Sequence, residues 1–335
     1  MEIADHLELL GVTLSADLNF GRFIHSKAQV VSVDGCKIKL NDGNEIPNFA
    51  FGTYSLKTPT QSIGRAIEAG YRLIDTAALY ANEEEIGKGI RDVIERGIVT
   101  RAELFISGKL PNSNHSKEQV IPALKLSLRK LGLEYLDMYL IHTPMATTGE
   151  GENICLDYVE TWREMETAQK LGLARSIGVS NFNSKQINRI LTLCDIPPAV
   201  NEIEVNPTYP NLALVAFCKV NNIAVMAYSP FGYMVPRRID LEDFSPPRFD
   251  DPYLVKLANK YGKKTSQIAM RYLIDRNLIP IPRSDNPTHI QENIDVYDFK
   301  LTTKEISTIN TYDINTKVYE FGFLRNNVFY SFYQS

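Results

Sequence analysis

From about residue 48 this chain of 335 residues alternates short apolar, β-favouring runs with longer segments of helical period, and it does so eight times. That rhythm predicts an α/β fold, a (β/α)8 barrel of the TIM type, in which helical crossovers join parallel strands. Two further observations agree. Polar and ionisable residues fall at the C-terminal ends of successive runs, the face on which such barrels carry their chemistry. A hairpin signal precedes the first run and suits a cap on the closed end.

The hairpin is Gly35 to Pro47, which alternates apolar and polar residues around Asp42-Gly43, a dipeptide that readily takes a tight turn. The eight strands follow at Phe51 to Thr53, Leu73 to Thr76, Leu104 to Gly108, Leu136 to His142, Ser176 to Val179, Ala199 to Ile203, Ala224 to Tyr228 and Ile279 to Pro282. Helix starts are marked by Ser116 followed by Glu118 and Gln119, by Asn181 to Ser184 ahead of Lys185 to Leu193, and by Thr265 ahead of Ser266 to Arg276. Val159, Trp162, Met165 and Ala168 form the apolar stripe of another helix, so Trp162 is expected in the core. Two insertions, Phe231 to Asp251 and the tail after Asp313, exceed the length of roughly 12 to 15 residues at which loops are usually functional. They are expected to bind substrate. No repeat or second domain is visible, so residues 34–335 read as one barrel domain and residues 1–33 as an N-terminal extension without a recognisable motif.

Composition narrows the class of function. Apolar residues make up 44% and charged residues 23%, enough for a large core and against disorder. The net charge of -4 leaves no basic surplus for nucleic acid or an anionic membrane. Cys36, Cys155, Cys194 and Cys218 lack metal-ligand or disulfide spacing. The acidic N-terminus does not read as a secretory signal, and no run approaches the roughly 18 apolar residues of a membrane span. The sequon Asn114-His115-Ser116 therefore carries no expectation of glycosylation. A cytoplasmic, monomeric protein acting on a small molecule is expected, without nucleic acid, membrane or metal.

Motifs narrow it further. The glycine fingerprint of Rossmann dehydrogenases is absent; Gly87-Lys88-Gly89 lies within a helical pattern. A serine elbow and paired zinc histidines are absent as well, which disfavours hydrolases. What remains is Asp75 after the second strand, Lys109 after the third, His142 after the fourth, and Tyr80 in the loop that follows Asp75. Each alone has an ordinary structural explanation, as a helix cap, a solvated lysine or a half-buried ring. Together they suit carbonyl reduction. That reaction needs an acid for the developing oxyanion, and tyrosine becomes acidic enough only beside a cation. Lys109 supplies the cation, Asp75 holds it, and a neutral His142 orients the carbonyl oxygen.

Asp75-Thr76-Ala77 with Tyr80, Asn82 and Glu83, then Lys109-Leu110 and Tyr139-Leu140-Ile141-His142 with Pro144, closely resemble the signatures of the aldo-keto reductase family. The resemblance continues through Ile177 to Phe182, Asn201, Glu204 and Pro207, Ala227 to Gly232, and Ile281 to Ser284, covering roughly residues 34 to 312 in order. The loop Ser229 to Gly232 with Val235-Pro236-Arg237 is most similar to insect members. The resemblance implies NADPH as coenzyme and Asp75, Tyr80, Lys109 and His142 as the catalytic tetrad. It implies coenzyme contacts from Thr53, Asp75, Ser180, Asn181 and Glu202 near the nicotinamide, with Tyr228 stacked on the ring. Ser229 would lie by the pyrophosphate, Arg283 and Ser284 by the 2′-phosphate, and His289, Glu292 and Asn293 by adenine. Glu202 departs from the usual glutamine, Arg283 from a lysine and His289 from an arginine. In the substrate pocket Tyr54, Pro111 and Thr143 replace common aromatic residues, which implies a wider pocket with a more polar floor than that of an aldose reductase. A bulky carbonyl such as a steroid or ecdysteroid is the expected substrate, with tail aromatics Tyr319, Phe321, Phe323, Phe329 and Phe332 as an apolar wall. The alternative is a coenzyme-sensing or structural barrel with little turnover, since the same fold serves such roles.

Overall fold

The computed structural model describes residues 36–236 and 246–331. The N-terminal extension, Arg237 of the first insertion and Phe332 of the tail lie outside those residues.

Eight parallel strands form the barrel: β3 (Ala50–Gly52), β4 (Leu73–Asp75), β5 (Phe105–Leu110), β6 (Leu136–Ile141), β9 (Ala174–Ser180), β10 (Val200–Glu204), β11 (Ala224–Tyr228) and β12 (Ile279–Pro280). They are ordered β12-β11-β10-β9-β6-β5-β4-β3, and helices flank them. All eight coincide with the sequence-derived runs. β5 extends to Leu110 because Lys109 and Leu110 continue the pairing with Leu140 and Ile141. β12 stops at Pro280, since Pro282 has no N–H to carry a ladder onward.

First and last strands meet at a seam. The Gly52 amide donates to the Pro282 carbonyl at 2.9 Å, and a Cβ on Gly52 would lie 3.0 Å from Ile281 Cγ2. The Asp285 carboxylate accepts from the amides of Lys57 and Thr58 across the same seam.

The period-two alternation of a strand sorts the barrel residues. Leu73, Phe105, Met138, Leu140, Val200 and Met226 form the interior cluster. Their neighbours Ile74, Ile106, Tyr139, Ile141, Ile203 and Val225 pack outward against the helices. The hairpin β1 (Lys37–Lys39) and β2 (Glu45–Pro47) plugs the end from which the strands start. Leu40 and Ile46 join the interior cluster, and Asn41 and Asn44 donate to the Pro198 carbonyl and the Ser176 hydroxyl. Gly43, with φ at 90°, takes the turn position that disfavours a side chain.

The helix signals are found at Lys117–Leu131, Ser184–Leu193 and Thr265–Asp275. Asn183 caps the second of these, its side chain accepting from the Gln186 amide at 3.0 Å. Gly87 lies inside the helix Glu83–Glu95 at a helix crossing; a Cβ there would come within 2.3 Å of the Leu131 carbonyl oxygen. Trp162 is fully buried in the helix Tyr158–Lys170 and donates from Nε1 to the Ile196 carbonyl at 2.9 Å.

Candidate active site

Continuing the same alternation upward brings polar side chains to the mouth of the barrel. On β4 the inward position after Leu73 is Asp75; on β5 those after Phe105 are Ser107 and Lys109; beyond Leu140 on β6 it is His142. On β10 the inward positions after Val200 are Glu202 and Glu204, and on β11 Tyr228 follows Met226. The helix-facing residues between them stay apolar, so the strand pleat alone separates core from site.

Lys109 is the hub. Its ammonium donates to both Asp75 oxygens, at 2.7 and 2.6 Å, and to the Thr76 carbonyl at 3.2 Å. Tyr80 Oη stands 3.4 Å from the same nitrogen. Burial alone would lower the Lys109 pKa, yet Asp75, Glu202 and Tyr80 hold it above its ordinary value, so it remains a cation. Tyr80 lies in the turn after β4, its ring edge-on to His142 at 5.8 Å and to Tyr54 at 5.1 Å.

His142 is buried and its Nδ1 has no hydrogen-bond partner among the described residues. Burial, followed by the charge of Lys109 and the neighbouring His115, pushes its pKa down to about 3, so the imidazole is neutral as the sequence implied. Tyr80 differs from expectation. Lys109 does pull its pKa down, but burial pushes it up more strongly, and Asp75 and Glu202 add to the rise. The hydroxyl is therefore fully protonated, the form a proton donor requires.

The structure adds a member the sequence reading put elsewhere. Glu202 Oε1 stands 3.2 Å from Lys109 Nζ, and Oε2 is buried without a hydrogen-bond donor among the described residues. Burial and Asp75 raise its carboxyl pKa far above the usual range, against the pull of Lys109.

Around the cluster, Ser180 Oγ and the Asn181 amide both donate to the Glu202 carbonyl, at 3.0 and 2.9 Å. Asn181 Nδ2 donates to the His142 carbonyl and to Ser180 Oγ, and its Oδ1 accepts from Tyr228 Oη at 2.8 Å. Thr53 lies below, its hydroxyl donating to the Asp75 carbonyl at 2.9 Å. These bonds tie Thr53, Ser180, Asn181 and Tyr228 to Asp75 and Glu202 in one network.

The outer residues are more scattered. Exposed Arg283 reaches across the seam to the Ser55 carbonyl at 3.0 Å, and Ser284 accepts from the Asn286 amide at 3.0 Å. His289 is exposed, Asn293 is buried, and Glu292 is paired with Lys264. Ser229, with φ at 48°, opens the loop after β11. In the pocket Tyr54 is half-exposed and Pro111 partly buried, whereas Thr143 is fully buried, its hydroxyl bonded to Asn112 and Met145.

Sequence reasoning did not foresee how the tail is anchored. The buried Glu204 carboxylate accepts from the Val318 amide at 2.8 and 3.0 Å and from the Tyr319 amide at 3.1 Å. The Tyr319 ring thereby meets Tyr54 at 6.4 Å and Tyr228 at 6.2 Å. Further along, Asn327 donates to the Ala146 carbonyl at 3.0 Å, in the short hairpin of β7 (Ala146–Thr147) and β8 (Asn153–Ile154). Of the expected aromatic wall, Tyr319 stands at the mouth, Phe329 packs on Tyr158, and Phe323 is 69% exposed.

Residues 49–314 match the family described as the Aldo/keto reductase family. The chain belongs to that family. This aldo/keto reductase is 53% identical over 289 residues to aldo-keto reductase AKR2E4 of Bombyx mori, spanning 84% of this chain and 93% of that protein. It is 38% identical over 301 residues to aldo-keto reductase family 1 member C18 of Rattus norvegicus, spanning 84% and 93%. Among solved structures, Bombyx mori AKR2E4 in complex with NADP superposes with a TM-score of 0.86 at 50% identity, covering 90% of this chain and all (100%) of that one. Aldo-keto reductase AKR2E5 complexed with NADPH gives 0.85 at 38% identity, covering 88% and 93%. The expected likeness to insect members is thus met, and this aldo/keto reductase is an oxidoreductase.

Proposed function

We propose that this enzyme reduces a bulky aldehyde or ketone to an alcohol with NADPH, Tyr80 giving the proton. The observation that carries the reading is the buried arrangement of Asp75, Lys109 and protonated Tyr80 beside a neutral imidazole at His142. When bound, NADPH supplies the hydride. The mouth fits its nicotinamide. Glu202 Oε2 lacks a donor among the described residues, and Asn181 Oδ1, which accepts one bond, keeps a second lone pair. Both lie by the half-buried Tyr228 ring, so a flat ring bearing a carboxamide is a suitable guest. Thr53, Asp75, Ser180, Asn181, Glu202 and Tyr228 would hold that end. Ser229, Arg283, Ser284, His289, Glu292 and Asn293 would serve the phosphates and adenine.

His142 orients the carbonyl oxygen through an imidazole N–H, and Tyr80 passes its proton to that oxygen as charge develops there. Lys109 stabilises the tyrosinate left behind, with Asp75 fixing the ammonium. The preference for a bulky carbonyl rests on the resemblance alone, by which Tyr54, Pro111 and Thr143 take the place of aromatic residues frequent in the family. A panel of carbonyls followed by NADPH absorbance loss tests it, and faster turnover of short aldehydes than of bulky ketones would reject the substrate class. Tyr80→Phe should abolish reduction with NADPH binding nearly intact; substantial residual turnover would reassign the acid. We take residues 34–335 as one domain, and the working unit as a cytosolic monomer, because one chain supplies every residue of the cluster. Sedimentation at assay concentration checks the monomer.

A further inference from the structure

Two carboxylates, Asp75 and Glu202, share a single ammonium inside the barrel, each at least 96% buried at the side chain. If both were ionised, the cluster would hold a net negative charge out of water, a costly state that a single proton removes. The geometry says which carboxyl carries it. Both Asp75 oxygens lie within 2.7 Å of Lys109 Nζ, whereas Glu202 offers it one oxygen at 3.2 Å, and its Oε2 has no donor among the described residues. The Glu202 carboxyl group also meets that of Asp75 within hydrogen-bond reach, a contact that favours a proton on Glu202. The less engaged group is the one that takes the proton.

We propose that Glu202 stores a proton on its buried carboxyl group and returns it through Lys109 to Tyr80 after each reduction. The proposal rests on Tyr80 being the acid. Once Tyr80 has given its proton to the carbonyl oxygen, the tyrosinate takes one from the Lys109 ammonium, 3.4 Å away. The neutral amine then takes the proton of Glu202, leaving ammonium and carboxylate. The site ends with one new negative charge on Glu202, which balances the positive charge that oxidation leaves on the nicotinamide. Glu202 recovers its proton from water when the oxidised coenzyme leaves. The groups that face Glu202 and set its titration are Asp75 on β4, Lys109 on β5, Tyr80 in the turn after β4 and Tyr228 on β11. Burial and Asp75 favour the acid form, as the proposal requires.

The test has two readouts. In the first, NADP+ and NADPH are titrated into the wild-type enzyme by calorimetry in buffers of different ionisation enthalpy at neutral to alkaline pH. NADP+ should expel more protons than NADPH, and since both carry the 2′-phosphate, the difference reports the ring charge alone. Equal proton exchange for the two coenzymes overturns the proposal without any variant. In the second, the reductive rate should fall as pH rises through the Glu202 titration. Glu202→Gln should lose that limb and the excess proton release, and Glu202→Asp should keep both. Persistence of either effect in Glu202→Gln rejects the store. If Tyr80→Phe retains turnover, the acid assignment fails instead, and the proton difference between coenzymes still tells whether Glu202 titrates.

Discussion

The two ends of the barrel are made by the same strands and are built on opposite principles. At the plugged end Leu40, Ile46, Leu73, Phe105, Met138 and Met226 fill the interior with apolar side chains. At the mouth the next inward positions are Asp75, Lys109, His142 and Glu202, buried just as deeply. There, His142 Nδ1 and Glu202 Oε2 lack hydrogen-bond partners among the described residues. Unpaired buried polar atoms cost roughly 1–3 kcal/mol each, so the mouth is tolerated while the plugged end stabilises. The difference teaches that burial at one end excludes water to hold the fold, and at the other to sharpen charge.

The comparison can be broken most severely at Lys109. Lys109→Met should lower reductive turnover by about 10²–10⁴-fold, because Tyr80 loses its cation and Asp75 is left facing Glu202. Steady-state rates on the best carbonyl check this; a loss below tenfold would mean that the mouth does not depend on its hub.

At the other end Met138→Ala should cost about 2–5 kcal/mol of stability and leave turnover within a factor of about two at a temperature where the fold persists. Denaturant titration and rates on the same sample decide it. A catalytic loss rivalling that of Lys109→Met would erase the division between the ends.

The comparison is sharpened at the rim by Arg283. If its guanidinium holds the 2′-phosphate, Arg283→Ala should weaken NADPH by roughly 1.5–3 kcal/mol, the range for hydrogen bonds to charged groups, and leave NADH nearly unchanged. An arginine, common at the position of exposed His289, would add a fixed charge near the 2′-phosphate, so without it the wild-type preference should be moderate. Dissociation constants for both coenzymes, equal in the wild type, would remove Arg283 from the site.

The mildest test concerns Glu204, two residues beyond Glu202 on β10. Burial lifts its carboxyl pKa to about 7, against the pull of the Val318 and Tyr319 amides and of Lys317. An acid raised in the closed state above its free value of about 4.3 favours closure when protonated. That contribution is complete below the free pKa and lost as pH rises through about 7. Hydrogen exchange at Val318 and Tyr319, corrected for intrinsic rate, should therefore show easier opening from pH 5 to pH 8, at most on the order of tens of fold if the whole shift is coupled to opening. Glu204→Gln should flatten the trend. An opposite slope would mean that the amide bonds outweigh burial.

How much of this was legible in the sequence follows from the range of each contact. Strands and their inward faces were readable because pleat and helical period are local: Asp75, Lys109 and His142 each declare themselves after an apolar run. The hairpin was readable from Asp42-Gly43, and Trp162 from its stripe. The pairing of Glu202 with Lys109 was not, since β9 and β6 lie between their strands in the sheet and the contact exists only across the closed interior. The hold of Glu204 on Val318 joins residues 114 apart, with no pattern to announce it. The small hairpin of β7 and β8 did leave a sign, Gly149-Glu150-Gly151, and Gly151 does take a positive φ of 89°. The acidity of Tyr80 was misjudged because a neighbouring cation is visible in sequence whereas depth of burial is not.

The seam has a consequence for synthesis. Ser55 and Arg283 are 228 residues apart, and the Gly52 amide finds its acceptor only when Pro282 has left the ribosome. Until then the nascent chain can assemble at most an open sheet, with β3 exposing one unpaired edge and β11 the other. Such edges invite pairing with other chains. A ribosome stalled ahead of Ile279 would thus display a sheet open at both sides, and chaperone capture should be densest there and fall away once β12 emerges.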